Sequence, residues 1–287
     1  MKVTDLQYYL DNAIIKMLDL SIARLTKVTP KKDILFIIEG AEGEGKTNTA
    51  CAMAYYIKHF TKRPVTLFFQ LENMIKFAQE TEEQIIIWDE PALDALSTDW
   101  YRKSNKNLIR LLMMCRKKRH MFIFNFTKFH KFSEYVVVDR ALGLIHMYSR
   151  NEQRPGRFIY IKKRNLEKLY LAYRSSKRRL YGRFSSYFGS FPEVLEKKFD
   201  QMEINVESVK KATYVEYNKE KDKSILQIGQ IDKEKPDENK IRLVALKGKL
   251  GKVRFPCRTQ KDFAEKIDIS PRTLQNWSKN MERGVIS

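Results

Sequence analysis

The sequence has little of what marks a secreted, membrane-spanning or zinc-binding protein. Its three cysteines, Cys51, Cys115 and Cys257, are scattered without the spacing of a metal site. No apolar run approaches the length of about 18 residues that a membrane span requires. The first residues also lack the apolar core of a signal peptide. We therefore expect free thiols, no zinc and a soluble, cytoplasmic protein.

Acidic residues are scarce in one region of the chain. The 287 residues include 55 lysines and arginines against 35 aspartates and glutamates, which gives a net charge of +20. Residues 101–190 contain 23 basic and four acidic residues, so nearly all of the excess lies there. Tyr and Phe are interleaved with the basic residues, as on surfaces that bind nucleic acid. We expect DNA as the partner; the alternative is a solvated basic face without a ligand.

Residues 40–47, Gly-Ala-Glu-Gly-Glu-Gly-Lys-Thr, match the P-loop pattern without a mismatch. An apolar run precedes them and a helical pattern follows, so a helix N-terminus would point at bound phosphates. In this motif the lysine reaches the β and γ oxygens and the threonine hydroxyl ligates Mg²⁺. We therefore predict a site for ATP and Mg²⁺, with Lys46 also acting in catalysis. The residues predicted to bind the nucleotide are Gly40, Glu42, Gly43, Glu44, Gly45, Lys46, Thr47 and Asn48.

A second apolar run ends in two carboxylates, Asp89 and Glu90. In a P-loop ATPase, an aspartate at the end of a buried strand holds the water shell of Mg²⁺, and a second carboxylate activates the attacking water. We predict that Thr47 and Asp89 serve the metal and that Glu90 is catalytic; a helix cap or a solvated turn is the alternative. Asn125, or Thr127 just after it, is the candidate catalytic sensor of the γ-phosphate. A polar residue facing a turn would give the same pattern.

Short apolar runs that alternate with helical segments predict an α/β fold with a mostly parallel sheet. The P-loop domain is expected to include a basic β-hairpin formed by residues 157–161 and 168–173. Falling apolar density and mixed charges after residue 204 predict a partly mobile linker. The predicted organisation is an N-terminal helix (1–32), a P-loop ATPase domain (33–204), a charged linker (205–238) and a small all-α helix-turn-helix domain (239–287).

The C-terminal region has the spacing of a helix-turn-helix over residues 259–278. Ala264 is small where two helices would cross, and Ser270 would cap a second helix that has Pro271 in its first position. Exposed side chains early in that helix would reach base edges or phosphates. A helical hairpin that contacts protein is the alternative. The residues predicted to contact nucleic acid are Arg272, Thr273, Gln275 and Asn276.

Residues 33–148 resemble the P-loop ATPases of the FtsK/HerA superfamily, most closely the zonular occludens toxin-like and viral DNA-packaging members. The resemblance rests on residues 40–47, the strand that ends in Asp89 and Glu90, the basic run 116–119 and the pair 139–140 before a strand predicted over residues 144–148. Those families usually end the strand that follows the basic run, predicted here over residues 121–126, with Gln, where this chain has Asn125. AAA+ replication or transposition ATPases, which commonly place Asn or Thr there, therefore stay an alternative. The C-terminal segment is similar to the helix-turn-helix of terminase small subunits.

The resemblance implies a DNA-dependent ATPase of a virus or mobile element that uses Mg-ATP to translocate or package DNA. Such enzymes form homo-oligomeric rings, for example hexamers, in which a neighbour's arginine stabilises the developing phosphate charge. The alternative is an ATP-switched loader or recruitment factor for DNA replication or transposition that does not pump DNA. No acidic cluster suited to a nuclease follows the ATPase region. The candidates for the arginine that a neighbouring subunit supplies are Arg110, Arg116, Arg119 and Arg140.

Overall fold

The structure, a computed structural model, describes residues 2–3, 8–26, 33–89, 98–149, 156–191 and 195–234, together with residues 270 and 272. The chain divides into two compact units, Met1–Gly229 and Gln230–Ser287. Nearly all of the described residues lie in the first unit, which contains the predicted P-loop. None of the helices in the described ranges could span a lipid bilayer.

An eight-stranded sheet forms the centre of the first unit. Its strands are β3 (Ile34–Glu39), β4 (Val65–Phe68), β5 (Ile85–Asp89), β6 (Met121–Phe126), β7 (Ala141–Tyr148), β8 (Arg157–Lys162), β9 (Tyr187–Ser190) and β10 (Asn205–Val206). Their spatial order is β10-β4-β5-β6-β3-β7-β8-β9. All pairs from β10 to β7 are parallel, whereas β8 is antiparallel to β7 and β9 is antiparallel to β8. A separate two-stranded sheet consists of β1 (Lys2–Val3) and β2 (Tyr8–Tyr9).

Helices cover both faces of the large sheet. They are α1 (Asn12–Thr26), α2 (Lys46–Thr61), α3 (Leu71–Glu80), α4 (Thr98–Met114), α5 (Lys163–Ser176), α6 (Tyr181–Phe184) and α7 (Tyr214–Glu234). One apolar core packs the sheet against α1 and α2, and a second packs it against α3, α4 and α5. Parallel strands need long crossovers, and α2, α3 and α4 supply those between β3, β4, β5 and β6. The predicted α/β fold with a mostly parallel sheet is therefore confirmed.

The central strands are buried on both faces, which explains their nearly continuous apolar sequences. Along β5, Ile85 and Ile87 face the first core, while Ile86 and Trp88 face the second. Because side chains alternate along a strand, Asp89 faces the same side as Ile87, towards α2. The end of β5 thus presents a carboxylate to the start of the P-loop helix.

The predicted basic β-hairpin is wrong in its second strand. Residues 157–161 belong to β8, but residues 168–173 lie in the helix α5. Leu166, Leu169 and Tyr170 are buried on one side of α5, with Tyr173 partly buried beside them. This i, i+3, i+4, i+7 spacing is helical and outweighs the short alternation that suggested a strand. β8 pairs instead with β7 and β9.

The predicted linker is wrong over most of residues 205–234. Asn205 and Val206 form β10 at the edge of the large sheet, and α7 follows shortly after. Tyr217 is buried in the first core, and the charges that suggested mobility, such as Asp222 and Lys223, are exposed on α7. An amphipathic surface helix therefore has the composition that was read as a linker. Residues 235–238 lie outside the described ranges.

Other predictions near the ends of the chain are tested only in part. The N-terminal helix begins at Asn12, after the short strand β2. Cys51 and Cys115 are free, buried thiols, as expected. Of the predicted helix-turn-helix, Ser270 and Arg272 are described; both are exposed, and Arg272 is helical. The other residues predicted to contact DNA, Thr273, Gln275 and Asn276, lie outside the described residues.

Candidate active site

The loop between β3 and α2 requires its glycines. Gly43 and Gly45 have φ angles of 78° and 83°, in the left-handed region that favours glycine. Gly40 lies against β7, and a Cβ there would come within 2.7 Å of the carbonyl oxygen of Met147. The backbone therefore adopts a tight turn that leads directly into the N-terminus of α2. Such a turn directs N–H groups and the positive end of the helix dipole towards an anion.

The Lys46 ammonium lies inside this loop. Its Nζ donates hydrogen bonds to the carbonyl oxygens of Gly40 and Ala41, at 2.9 Å and 2.6 Å. Burial lowers the pKa of Lys46, while the negative charges of Asp89 and Glu42 act in the opposite direction. A partly desolvated cation held by neutral carbonyls is well placed to exchange those partners for phosphate oxygens.

Three side chains from different elements donate hydrogen bonds to Asp89, which is buried at the end of β5. Thr47 Oγ1 on α2 donates to Oδ2 at 2.8 Å, and Asn125 Nδ2 on β6 donates to Oδ1 at 3.0 Å. The phenol of Tyr217 on α7 also donates to Oδ2, at 3.3 Å. Because β6 lies between β3 and β5, Asn125 pairs directly with Asp89 and places its amide between the P-loop and the aspartate. Together these contacts fix the orientation of the Asp89 carboxylate.

The residues present fit a magnesium nucleotide. The Thr47 hydroxyl and the Asp89 carboxylate are oxygen groups of the type that Mg²⁺ or its bound water prefers. Asn125 Oδ1 is buried and has no hydrogen-bond donor among the described residues. A buried acceptor without a donor costs about 1–3 kcal/mol, so this oxygen suits a bound water. Thr47 and Asp89 would hold the metal, and the loop with Lys46 would hold the phosphates.

The structure brings most of the predicted nucleotide-site residues together. Glu42 is exposed on the loop, whereas Glu44 accepts a hydrogen bond from Ser149 at 2.9 Å. Asn48 accepts one from the Tyr8 phenol at 2.7 Å, so it ties the helix to β2. Of the two sensor candidates, Asn125 contacts Asp89, and Thr127 lies beyond the end of β6. Glu90, the predicted catalytic base, lies outside the described residues.

Two residues of the site were not predicted from the sequence, Tyr217 and Lys221. Tyr217 is only 3% exposed and packs among Phe69, Phe199 and Tyr214. Burial raises the pKa of Tyr217, and the charge of Asp89 raises it further, so the phenol remains a donor. Lys221 Nζ lies 3.4 Å from the Tyr217 hydroxyl, and its charge also acts on Lys46. No local motif marks these residues, which follow Asp89 by more than 120 positions.

A second buried carboxylate, Glu39, lies immediately before Gly40 on the opposite face of the sheet. Its Oε1 accepts hydrogen bonds from the Tyr181 hydroxyl at 2.7 Å and from the Phe129 amide at 3.3 Å. Oε2 lies 3.3 Å from Nδ1 of His146, whose ring stacks on Tyr181 with 3.7 Å between centroids. This cluster connects α6 with the strand that leads into the P-loop.

The candidate arginines differ in their surroundings. Arg140 forms a buried ion pair with Asp33, the residue before β3. The pair therefore lies at the amino-terminal end of β3, whereas the P-loop follows its carboxyl end. Arg119 is 3.1 Å from Glu83 and shares that carboxylate with Arg63. Arg110 and Arg116 are exposed, and neither forms an ion pair within the described part of the chain. Arg140 is therefore the least suited to reach a neighbouring subunit.

The sheet order, the glycine loop and the Asp89 network define an α/β fold of the P-loop nucleotide-hydrolase type. No known protein-family model matches the chain, and no curated protein matches it. Among solved structures, it is similar to the FIGL-1 AAA domain in complex with ADP, at 16% identity over 58% of this chain and 65% of that one, with a TM-score of 0.36. The match thus spans less than two thirds of the FIGL-1 chain.

Two further solved structures show likeness at similar levels. The DnaC helicase loader is 16% identical over 42% of this chain and 75% of that one, with a TM-score of 0.26. The flagellar accessory protein FlaH from Methanocaldococcus jannaschii is 14% identical over 50% and 83%, with a TM-score of 0.26. These scores are too low to indicate a shared function.

Proposed function

We propose that this chain is a Mg²⁺-dependent ATPase that acts on DNA. The observation that carries the proposal is the contact of Thr47 and Asn125 with Asp89, beside a glycine loop that holds Lys46. These residues come from α2, β5 and β6, so the fold itself assembles them. A glycine-rich turn without a nucleotide would not require an oriented carboxylate at this place.

Each residue has a defined task in hydrolysis. The loop amides and Lys46 hold the β and γ phosphates, and Mg²⁺, when bound, would neutralise charge on their oxygens. Asn125 Oδ1 accepts a hydrogen bond from the attacking water, and Glu90, next in sequence to Asp89, takes its proton. The water oxygen bonds to the γ phosphorus as the bond from that phosphorus to the bridging oxygen breaks, so the γ phosphoryl group leaves as inorganic phosphate and the bridging oxygen stays with ADP. Lys46 offsets the charge that develops on that oxygen.

The basic surface supports DNA as the partner. Residues 157–184 contain ten lysines and arginines and one acidic residue, Glu167. Lys177, Arg178 and Arg179 are exposed just before α6, whose Tyr181 contacts Glu39 beside the P-loop. DNA bound to residues 177–179 would lie close in sequence to Tyr181, whose hydroxyl contacts Glu39 at the end of the strand that leads into the P-loop. We therefore expect DNA to change the rate of ATP hydrolysis.

The first form of the proposal is a ring that translocates or packages the DNA of a virus or mobile element. It rests on the resemblance to the FtsK/HerA superfamily and on exposed arginines, Arg110 and Arg116, that can serve a neighbouring subunit. The second form is an ATP-switched loader or recruitment factor. The contact of Tyr217 with Asp89 favours this form, because it joins the metal site to the helix that leads into the C-terminal unit.

Three variants test the ATPase assignment. Lys46→Ala should lose ATP binding or turnover, because it removes the positive charge that contacts the β and γ phosphates. Glu90→Gln should bind ATP and fail to hydrolyse it. Lys210→Ala, at an exposed position between β10 and α7, is the control and should match the wild type. Hydrolysis by Glu90→Gln at the wild-type rate would remove Glu90 from the mechanism.

DNA dependence and movement need separate measurements. Hydrolysis by the wild type should rise when DNA is added, and a rate indifferent to DNA of any length or form would count against the translocating ring and favour the loader. Displacement of a protein roadblock from linear duplex DNA, with ATP, identifies a translocase. ATP-dependent binding without displacement identifies the loader.

A further inference from the structure

A groove lies at the amino-terminal ends of the parallel strands, at the end of the sheet away from the P-loop. It has a volume of about 620 Å³ and runs between α1 and the junction of β8 with α5. Leu142 near the start of β7 contributes to its floor, and Lys162 pairs with Gly143 at the same end of the sheet. The P-loop follows the other end of β3, so this groove is separate from the proposed nucleotide site.

Two basic walls face each other across the groove. On α1 the lining positions include Asn12, Lys16, Leu20 and Arg24, which are four residues apart and therefore share one side of the helix. Lys16 and Arg24 are about 12 Å apart along the helix axis, from a rise of about 1.5 Å per residue. The facing wall is basic throughout. It consists of Lys162, Lys163 and Arg164.

These five cations outnumber the carboxylates that border the groove, which include Asp11, an acceptor from the Tyr187 hydroxyl at 3.4 Å, and Asp139 beside Lys163. The residues that line it include no aspartate or glutamate. Within the described ranges, Lys16, Arg24, Lys162 and Arg164 form no ion pair. Lys163 donates a hydrogen bond to the backbone oxygen of Asp139 at 2.5 Å. Burial lowers the pKa of Lys163, and the neighbouring charges of Arg140 and Arg24 lower it further, against the effect of Asp139. Like charges that converge in a concave site are stabilised by a bound polyanion.

The floor of the groove is apolar and partly aromatic. Tyr160 and Tyr187 pair across β8 and β9 on the groove side, and Tyr187 is 40% exposed. Leu20 on the α1 wall is 68% exposed. Aromatic side chains beside a basic track are the surfaces on which the bases of a single strand stack. The volume of the groove is in the range of pockets that hold small ligands.

We propose that this groove binds single-stranded nucleic acid, with phosphates on the two basic walls and a base stacked on Tyr187. The inference rests on the proposed action on DNA and adds where the strand binds and in which form. It places the strand on the side of α1, away from the exposed basic segment 177–179 that follows α5.

Charge reversal tests the basic walls. The groove variant carries Lys162→Glu and Arg164→Glu, both at exposed positions. The control variant carries Lys210→Glu and Lys219→Glu, which change the net charge equally at exposed positions that follow the edge strand β10. Binding of a fluorescent single-stranded DNA of about 20 nucleotides is measured by anisotropy at several salt concentrations. The groove variant should lose about tenfold or more in affinity, and its salt slope should fall by about 1.4, or 0.7 per lost phosphate contact. The control should bind as the wild type does.

A second pair of variants tests the stacking surface. Tyr187→Ala should weaken single-strand binding by about fivefold or more, with the salt slope unchanged, because stacking is worth about 1–3 kcal/mol per base. Phe188→Ala, next in sequence and facing the other side of the edge strand, is the control and should have no such effect. The affinity for duplex DNA of the same sequence should not change in Tyr187→Ala. Urea unfolding midpoints would identify any variant that is misfolded.

The outcomes separate this inference from the proposed function. If the wild type binds DNA while both groove variants bind single strands like their controls, the groove assignment is wrong and the DNA-acting ATPase stands. Loss of duplex binding alone in the groove variants would also overturn the single-strand assignment. A wild type that binds neither form of DNA would contradict the proposed function itself.

Discussion

Asn125 has two different contacts to make, and the structure supplies only one of them. Its amide nitrogen donates to Asp89, while its oxygen is buried without a donor. Pairing with Asp89 on β5 and with Ile38 on β3 fixes the position of the residue between the two strands. A side chain this constrained cannot turn to satisfy its oxygen elsewhere. The oxygen therefore has no donor among the described residues, and the proposed mechanism assigns it to the attacking water.

Asn125→Ala should slow hydrolysis while leaving nucleotide binding nearly intact. Loss of a single positioned hydrogen-bonding group in an active site costs about 10²–10³ in kcat, and we expect a decrease of at least tenfold. Affinity for a fluorescent ATP analogue should change by less than about threefold, since the loop and Lys46 provide the phosphate contacts. Asn73→Ala, at an exposed asparagine on α3, is the control. An unchanged kcat would show that Asn125 serves only to hold Asp89.

The helix α7 is the element that connects the site to the end of the chain. The first turns of α7 bury Tyr217 among three aromatic side chains. The Tyr217 hydroxyl donates a hydrogen bond to Asp89, which also accepts one from Thr47. A lone pair of Asp89 Oδ2 that a metal-bound water would use is thus taken by the protein itself. Lys221, one turn further along α7, donates a hydrogen bond to the same hydroxyl at 3.4 Å. Movement of α7 would therefore change the hydrogen bonding of the Asp89 carboxylate directly.

Tyr217→Phe should lower the Mg²⁺ concentration needed for half-maximal ATP hydrolysis. The substitution keeps the ring in its aromatic pocket and removes the donor that competes with metal-bound water for Asp89. We expect a decrease of several-fold, because a hydrogen bond to a charged group is worth about 1.5–3 kcal/mol and this one is long, at 3.3 Å. Tyr214→Phe is the matched control, since Tyr214 stacks on Tyr217 without contacting Asp89. If both variants require the same Mg²⁺ concentration as the wild type, the hydroxyl does not control the metal.

The elements show what the sequence could predict and what it could not. The strands β3, β5 and β6 are short apolar runs buried on both faces, so their composition alone identified them. Six alternating residues within α5 predict a strand in place of the helix, and the charged, exposed side of α7 predicts a linker. The contact between Tyr217 and Asp89 joins residues distant in the sequence, and no spacing rule reports it. Local patterns thus reveal the P-loop, whereas the fold determines which distant side chains complete the site.

At the scale of the molecule, the two proposed sites lie at opposite ends of the same parallel strands. The P-loop and Asp89 lie at the carboxyl ends, and the basic groove lies at the amino ends. The strand β3 and its neighbour β7 span both edges, and the Glu39 cluster adds a contact between the P-loop strand and α6. β3 is buried along its whole length and β7 along most of it, so both proposed sites adjoin the same buried strands. This arrangement is consistent with a DNA-acting ATPase in which strand binding and hydrolysis are linked.

The boundary between the two compact units, after Gly229, allows the proposed DNA-reading role of the C-terminal unit to be tested. A chain of residues 1–234 keeps all of α7, and with it the contact of Tyr217 with Asp89. We expect it to hydrolyse ATP and to bind DNA through its basic surface, but to lose any preference among sequences that the full chain shows. Enrichment of pooled random duplexes by the two proteins gives the comparison.

A single substitution in the full chain makes the same test without removing residues. Arg272 is exposed and helical, and Arg272→Ala should weaken binding by about 1–3 kcal/mol at one base position if its side chain reads a base. Lys219→Ala, at an exposed position of α7, is the control. A truncated chain that enriches the same duplexes as the full chain would show that the C-terminal unit contacts protein instead. In that case Arg272→Ala should also leave the enriched sequences unchanged, because base recognition would then belong entirely to the first unit.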